Sequence, residues 1–176
     1  MKQSKYEITR EKYLSEDEQG QLVKILNRHK DKEPRNVAII WLALHTGARA
    51  TELLNLKITD FDVDKQSVYV CGIKNSKDRE IPIPEWLFKI VLSLKTHKDG
   101  HIFPISYPRL NQIWTHYKPV KKKFHSLRHT FALNLYDKCK DIKVLQMALG
   151  HRSLMNTMIY ADFRYNTEEL RRVLFS

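Results

Sequence analysis

The sequence predicts a mainly α-helical domain that carries one small antiparallel β-sheet. Three observations lead there. Pro34 opens a segment, Val37 to His45, that is apolar on every side of a helix, as a central core helix is. In the middle of the chain, Ser67-Val68-Tyr69-Val70-Cys71 and Arg79-Glu80-Ile81-Pro82-Ile83 alternate at strand period around a polar, turn-forming stretch. From Pro108 onward the apolar spacing is helical again.

Taken in order, residues 1–13 are polar and charged and are expected to be an arm or linker remnant, with 14–176 forming one domain. Ser15-Glu16-Asp17-Glu18 has the form of a capping box, so a helix should start near Glu16 with Leu22, Val23 and Leu26 inward. Gly47 is the expected stop of the core helix, and a short helix follows from Ala50 to Asn55. The two alternating segments pair into a basic hairpin around Gly72-Ile73-Lys74-Asn75-Ser76-Lys77-Asp78. Pro84 starts a helix through Leu94, and a loop runs from Thr96 to Ser106. Further helices are expected near 108–116, 126–138, 141–149 (ended by Gly150), 153–161 and 167–174. The last is announced by Asn166-Thr167-Glu168-Glu169 and striped by Leu170, Val173 and Leu174.

Composition narrows the function classes. A chain of 176 residues suits one domain and can bury about 70% of its unfolded surface without disulfide help. Its two cysteines, Cys71 and Cys139, form no Cys-x-x-Cys pair, which points to a reduced, intracellular protein without a cysteine metal site. No apolar run reaches the ~18 residues of a membrane span, and no apolar signal core follows Met1, so a cytoplasmic, nucleoid-associated location is expected. Lys and Arg number 31 against 20 acidic residues, a net charge of +11 that favours a polyanionic partner. Nucleic acid fits better than anionic membrane, because no basic amphipathic helix lacks a core-facing role.

Six residues in recognisable local contexts carry the chemistry. They are Arg49 after Thr46-Gly47-Ala48, Lys74 on the hairpin, His125 and Arg128 in His125-Ser126-Leu127-Arg128-His129, His151 after Leu149-Gly150, and Tyr160 nine residues further on. A phosphodiester is anionic and resists attack, so its cleavage needs positive charge on the non-bridging oxygens and a proton for the leaving oxygen. Two guanidiniums suit the first task, since each donates in a planar fork and stays charged. Backbone N–H groups at the helix start beside Arg49 would add to such an anion site. Glu52 lies three residues after Arg49 and His125 three before Arg128, spacings that let each pair share a helix face. An imidazole near neutral pH can take a phenolic proton or bond a phosphate. A phenol with a pKa of ~10 needs cationic neighbours to become a nucleophile.

The ordered set resembles the catalytic domain of the tyrosine recombinases, the phage integrase family, over Leu14 to Tyr160. That resemblance implies a DNA breaking-rejoining fold and a reaction that needs neither metal nor ATP. Arg49 and Arg128 would grip the scissile phosphate and His151 would bond it. His125 would take the phenolic proton or a phosphate bond, and Lys74 would protonate the 5′ leaving oxygen, with Lys77 as runner-up. Tyr160 would form a 3′-phosphotyrosyl link; Tyr165 lies five residues past the expected place. Glu52 would orient Arg49 and His129 would hold its helix.

Partners follow from the same resemblance. These are double-stranded DNA, with Lys118, Lys121, Lys122 and Lys123 on flanking phosphates, and a tetramer on paired sites joined through the 167–174 helix. The family's preceding helical domain has no counterpart here, as in a catalytic fragment or a minimal recombinase of the fimbrial phase-switch kind. Lys138-Cys139-Lys140-Asp141 stands where the family commonly has glycine.

Other readings of the same residues are weaker. His125 and His129 have zinc-helix spacing with His151 as a third ligand, but Ser126 replaces the catalytic Glu of that motif and Arg128 would repel a cation. A type IB topoisomerase shares the phosphotyrosine chemistry. A non-catalytic DNA-binding module on the same fold would not need Tyr160.

Overall fold

The computed structural model describes residues 7–73 and 76–164, and in the tail 170, 171, 174 and 175. Lys74 and most of the expected 167–174 helix lie outside the described residues. Eight α-helices and a three-stranded sheet make up most of the described part. They are α1 (Glu16–His29), α2 (Pro34–Thr46), α3 (Ala50–Leu54), β1 (Phe61–Asp62), β2 (Ser67–Val70), β3 (Arg79–Pro82), α4 (Glu85–Leu92), α5 (Tyr107–Tyr117), α6 (Ser126–Cys139), α7 (Ile142–Leu149) and α8 (Met155–Arg164). The mainly helical architecture with a small antiparallel sheet is as the sequence predicts.

α2 is the pillar. Its residues from Val37 to Ala43 are all buried, and it packs against α4 and α6. It ends where Gly47 turns left-handed at φ 60°. A Cβ there would stand 2.3 Å from the Phe131 ring, so the glycine also lets α6 come close. The capping box at Ser15 forms in full: Glu18 N–H donates to Ser15 Oγ and Ser15 N–H to Glu18 Oε2.

Two apolar clusters meet along α6. The larger gathers α1, α2, the sheet, α4 and α5, and reaches Leu127. The smaller joins Ala132, Leu133 and Tyr136 of α6 to Leu145 and Leu149 of α7 and to Tyr160 and Ala161 of α8. Ile8 is buried in it, and Tyr13 packs edge-on against Phe163. The described part of the expected polar arm is therefore anchored on the domain by its few apolar side chains.

Antiparallel pairing runs β1-β2-β3, with Val68 opposite Ile81 and Val70 opposite Arg79. β1 has no counterpart in the predicted elements, because two residues are too few to display alternation. α4 stops at Leu92, two residues short of the expected end. The α6–α7 turn explains the family departure noted above. Lys140 adopts φ 51°, a left-handed cap that glycine takes without strain.

Candidate active site

Arg49 is the N-cap of α3 rather than a residue within it. Its backbone N–H donates to Glu52 Oε2 at 2.7 Å and its Nη1 to Glu52 Oε1 at 3.2 Å. This corrects one expectation: the Arg49 N–H at this helix start is taken by Glu52 and is not left for an anion. Glu52 does hold Arg49, as the three-residue spacing suggests, and it also holds a second arginine. Arg79 on β3 donates Nη2 to Glu52 Oε2 at 2.8 Å. Burial pushes the Glu52 carboxyl up, but the Arg79 bond and charge and the Arg49 N–H outweigh it, so the net shift is downward.

Arg128 is 2% exposed on the first turn of α6. It donates to the Gly47 carbonyl at the end of α2 and, at 2.8 Å, to the Leu149 carbonyl at the end of α7. Its Nη2 also faces His151 Nε2 at 3.0 Å. A guanidinium only donates, so His151 Nε2 accepts and the ring proton sits on Nδ1. Nδ1 then donates to Thr157 Oγ1 at 2.9 Å, one turn before Tyr160 on α8. Gly150 aims this ring from a left-handed cap at φ 66°.

Tyr160 is 2% exposed, and its hydroxyl pairs with His129 Nδ1 at 3.0 Å. His129 therefore touches the phenol as well as sitting on its helix. His125 lies at the mouth of the site, exposed, with its ring 4.8 Å from that of His129 and nearly perpendicular to it. Arg49, His125, Arg128, His129, His151 and Tyr160 line one cavity of about 530 Å³. Five of the six sequence-predicted residues thus converge, and Lys74 lies outside the described residues. Of the three rings, His151 Nε2 faces a guanidinium and His129 Nδ1 the phenol.

Burial, then Arg128 and Arg49, holds His151 down at about 3; burial, then His125 and Arg128, does the same for His129. Both are neutral at pH 7. Their folded pKa values lie below the ordinary ~6.5, so the unfolded chain binds more protons between about pH 3 and 6.5. Stability is therefore expected to be full above pH ~6.5 and to fall on acidification through that window. Urea titrations from pH 7.5 to 4.5 check this, and replacement of both rings by Gln should flatten the slope.

The lysine cluster divides. Lys121 and Lys123 are exposed and Lys118 half-buried. Lys122 is tied inward: its ammonium donates to the Tyr13 carbonyl and to Glu18 at 2.7 Å, with 9% of the side chain exposed. That removes Lys122 from the DNA-backbone candidates. In salt titrations of DNA binding, Lys121→Ala with Lys123→Ala should flatten the slope by about one unit per lost phosphate contact, while Lys122→Ala should leave it unchanged and lower stability. Equal slopes for the double variant and Lys122→Ala would contradict this division. Lys77 is exposed and lines a separate groove between β3 and α7, with its N–H bonded to Gly150 O at 2.8 Å.

Three contact residues escaped the sequence reading. Arg79 shares the inward face of β3 with Ile81, so an arginine on the apolar phase of the strand was the available signal. Thr157 stands one turn from Tyr160. Ser76 is buried against Arg49 Nη1 and bridges to His151, and nothing in the sequence marks it.

The chain matches the model of the phage integrase family over residues 12–167. Tyrosine recombinase XerA of Pyrococcus horikoshii is 35% identical over 178 residues, covering 93% of this chain and 60% of that protein. The catalytic domain of bacteriophage HP1 integrase superposes with a TM-score of 0.67 at 27% identity, covering 93% of this chain and 94% of that one. XerH captured on its difH substrate before cleavage shares the fold, with a TM-score of 0.73 at 23% identity, covering 97% of this chain and 56% of that one. The chain thus spans about three-fifths of the length of the XerA relative. With this match over nearly the whole chain and its site residues gathered in one cavity, the chain belongs to the phage integrase family.

Proposed function

We propose that this chain is the catalytic domain of a site-specific DNA recombinase that cuts and rejoins strands through Tyr160. The carrying observation is the convergence of Arg49, Arg128, His151 and Tyr160 on one cavity. In this reading the two guanidiniums hold the non-bridging oxygens of a scissile phosphate. The Tyr160 oxygen bonds to phosphorus, and the 5′ oxygen leaves. The phenolic proton passes to an imidazole, His125 at the mouth or His129 at the hydroxyl, and Lys74 supplies the proton to the leaving oxygen. A 5′ hydroxyl from another strand reverses the sequence, so phosphodiester energy is kept and no cofactor is consumed.

DNA is the proposed substrate, in keeping with the +11 charge and the DNA-bound relative of the same fold. A location at the nucleoid goes with it. The test is strand transfer. Incubated with nicked duplexes bearing a radiolabelled strand, a recombinase joins that strand to the 5′ hydroxyl of a separate duplex. Relaxation of supercoiled plasmid without any such joining would support the topoisomerase reading instead.

We also propose assembly into a tetramer on paired sites through the C-terminal segment. Leu170, Leu174 and Phe175 are exposed there, 56%, 63% and 82% respectively. Truncation after Asn166 should abolish higher complexes on DNA in native gels before it lowers the melting temperature. Intact assembly by the truncated chain would refute the role.

A further inference from the structure

Glu52 sits between two arginines with different fates. Its side chain is fully buried, that of Arg79 is 4% exposed, and that of Arg49 is 34% exposed. Arg79 reaches both carboxylate oxygens, Oε2 at 2.8 Å and Oε1 at 3.4 Å. The guanidinium bonds of Arg49 run through Nη1, to Glu52 Oε1 and to the Ser76 hydroxyl. The buried arginine is therefore spent on the carboxylate, and the half-exposed one lines the cavity.

Physical chemistry gives the pairing a purpose. A carboxylate beside a single guanidinium draws it into a two-bond fork, the same geometry that a phosphate would use. An uncompensated Glu52 would also cancel one of the two positive charges that Arg49 and Arg128 bring. The fold goes to some length to bring Arg79 in. A Cβ on Gly150 would lie 3.1 Å from Arg79 Nη1 and 2.6 Å from the Lys77 carbonyl, so the β3 limb closes on the His151 turn only across a glycine. β3 is also the first strand after Lys74 in the chain.

We propose that Arg79 is a positioning residue for the phosphate site: it occupies and neutralises Glu52, so that the Arg49 guanidinium is offered to a DNA phosphate instead of being captured by its own neighbour. The inference rests on the phosphate-binding reading of Arg49 made above.

The test uses inorganic phosphate as the probe. It is titrated into the full chain at fixed ionic strength while the Arg49 guanidinium signals are followed by nitrogen-15 NMR, assigned with Arg49→Lys. Arg79→Met should weaken phosphate affinity by about tenfold, the loss expected for one charge-assisted bond. Arg79→Met with Glu52→Gln removes one charge of each sign, and its affinity should return to within about threefold of wild type. Arg79→Gln, which keeps a donor for Glu52, should lose affinity like Arg79→Met and takes its place if that variant does not fold. A purely structural Arg79 would lower the melting temperature without this rescue. Wild-type binding with unchanged affinity in the neutral variants, or loss without rescue in the double variant, would overturn the role of Arg79 alone. Absence of any phosphate effect on wild-type Arg49 would overturn the phosphate-site reading and this inference together.

Discussion

Replacing Tyr160 by Phe should eliminate the covalent DNA adduct while leaving DNA binding intact. The ring packs in the smaller apolar cluster, and Phe keeps that contact. The hydroxyl's bond to His129 is lost, which should lower stability by about 1 kcal/mol. Denaturing gels with nicked duplexes read the adduct, and gel shifts read the binding. Tyr165→Phe serves as the control and should retain the adduct. An adduct that persists in the Tyr160 variant would remove this residue as nucleophile.

Arg128→Ala should slow cleavage and destabilise the fold at the same time. Donors to a developing charge are worth about 10²–10³ in rate each, and this one is preorganised by two carbonyls and an imidazole. Removing it also orphans the Gly47 and Leu149 carbonyls, at a cost of about 1–3 kcal/mol for each unsatisfied group. Single-turnover cleavage and thermal unfolding separate the two losses. Arg128→Lys keeps the charge but not the fork, so it should recover part of the stability and little of the rate. A lysine variant that cleaves at the wild-type rate would show that charge alone matters there.

The sequence was most legible where one residue type does one job. The all-apolar phase of α2, the capping box at Ser15 and the glycine stops at Gly47 and Gly150 each announce themselves locally, and each forms. Ordered motifs likewise marked five residues that the fold brings to one cavity across α3, α6, α7 and α8. What stayed hidden were relations between distant segments. Nothing local says that Lys122 will meet Glu18 104 residues away, or that Arg79 will reach across to Glu52. A basic residue in a basic run looks solvated until its partner is known. His129 illustrates the same limit: its sequence position suggests a helix-holding role, and only packing of α8 on α6 puts its ring against the Tyr160 hydroxyl.

If Tyr160 becomes bonded to DNA, peptide mass spectrometry on the trapped adduct reads that bond itself. Trypsin cuts after Arg152 and Arg164, so Ser153–Arg164 carries Tyr160 and the following peptide carries Tyr165. After nuclease digestion, the Ser153–Arg164 peptide should bear a 3′-phosphodeoxynucleotide on its tyrosine. The same mass on the Tyr165 peptide, or on any other residue, would contradict the account.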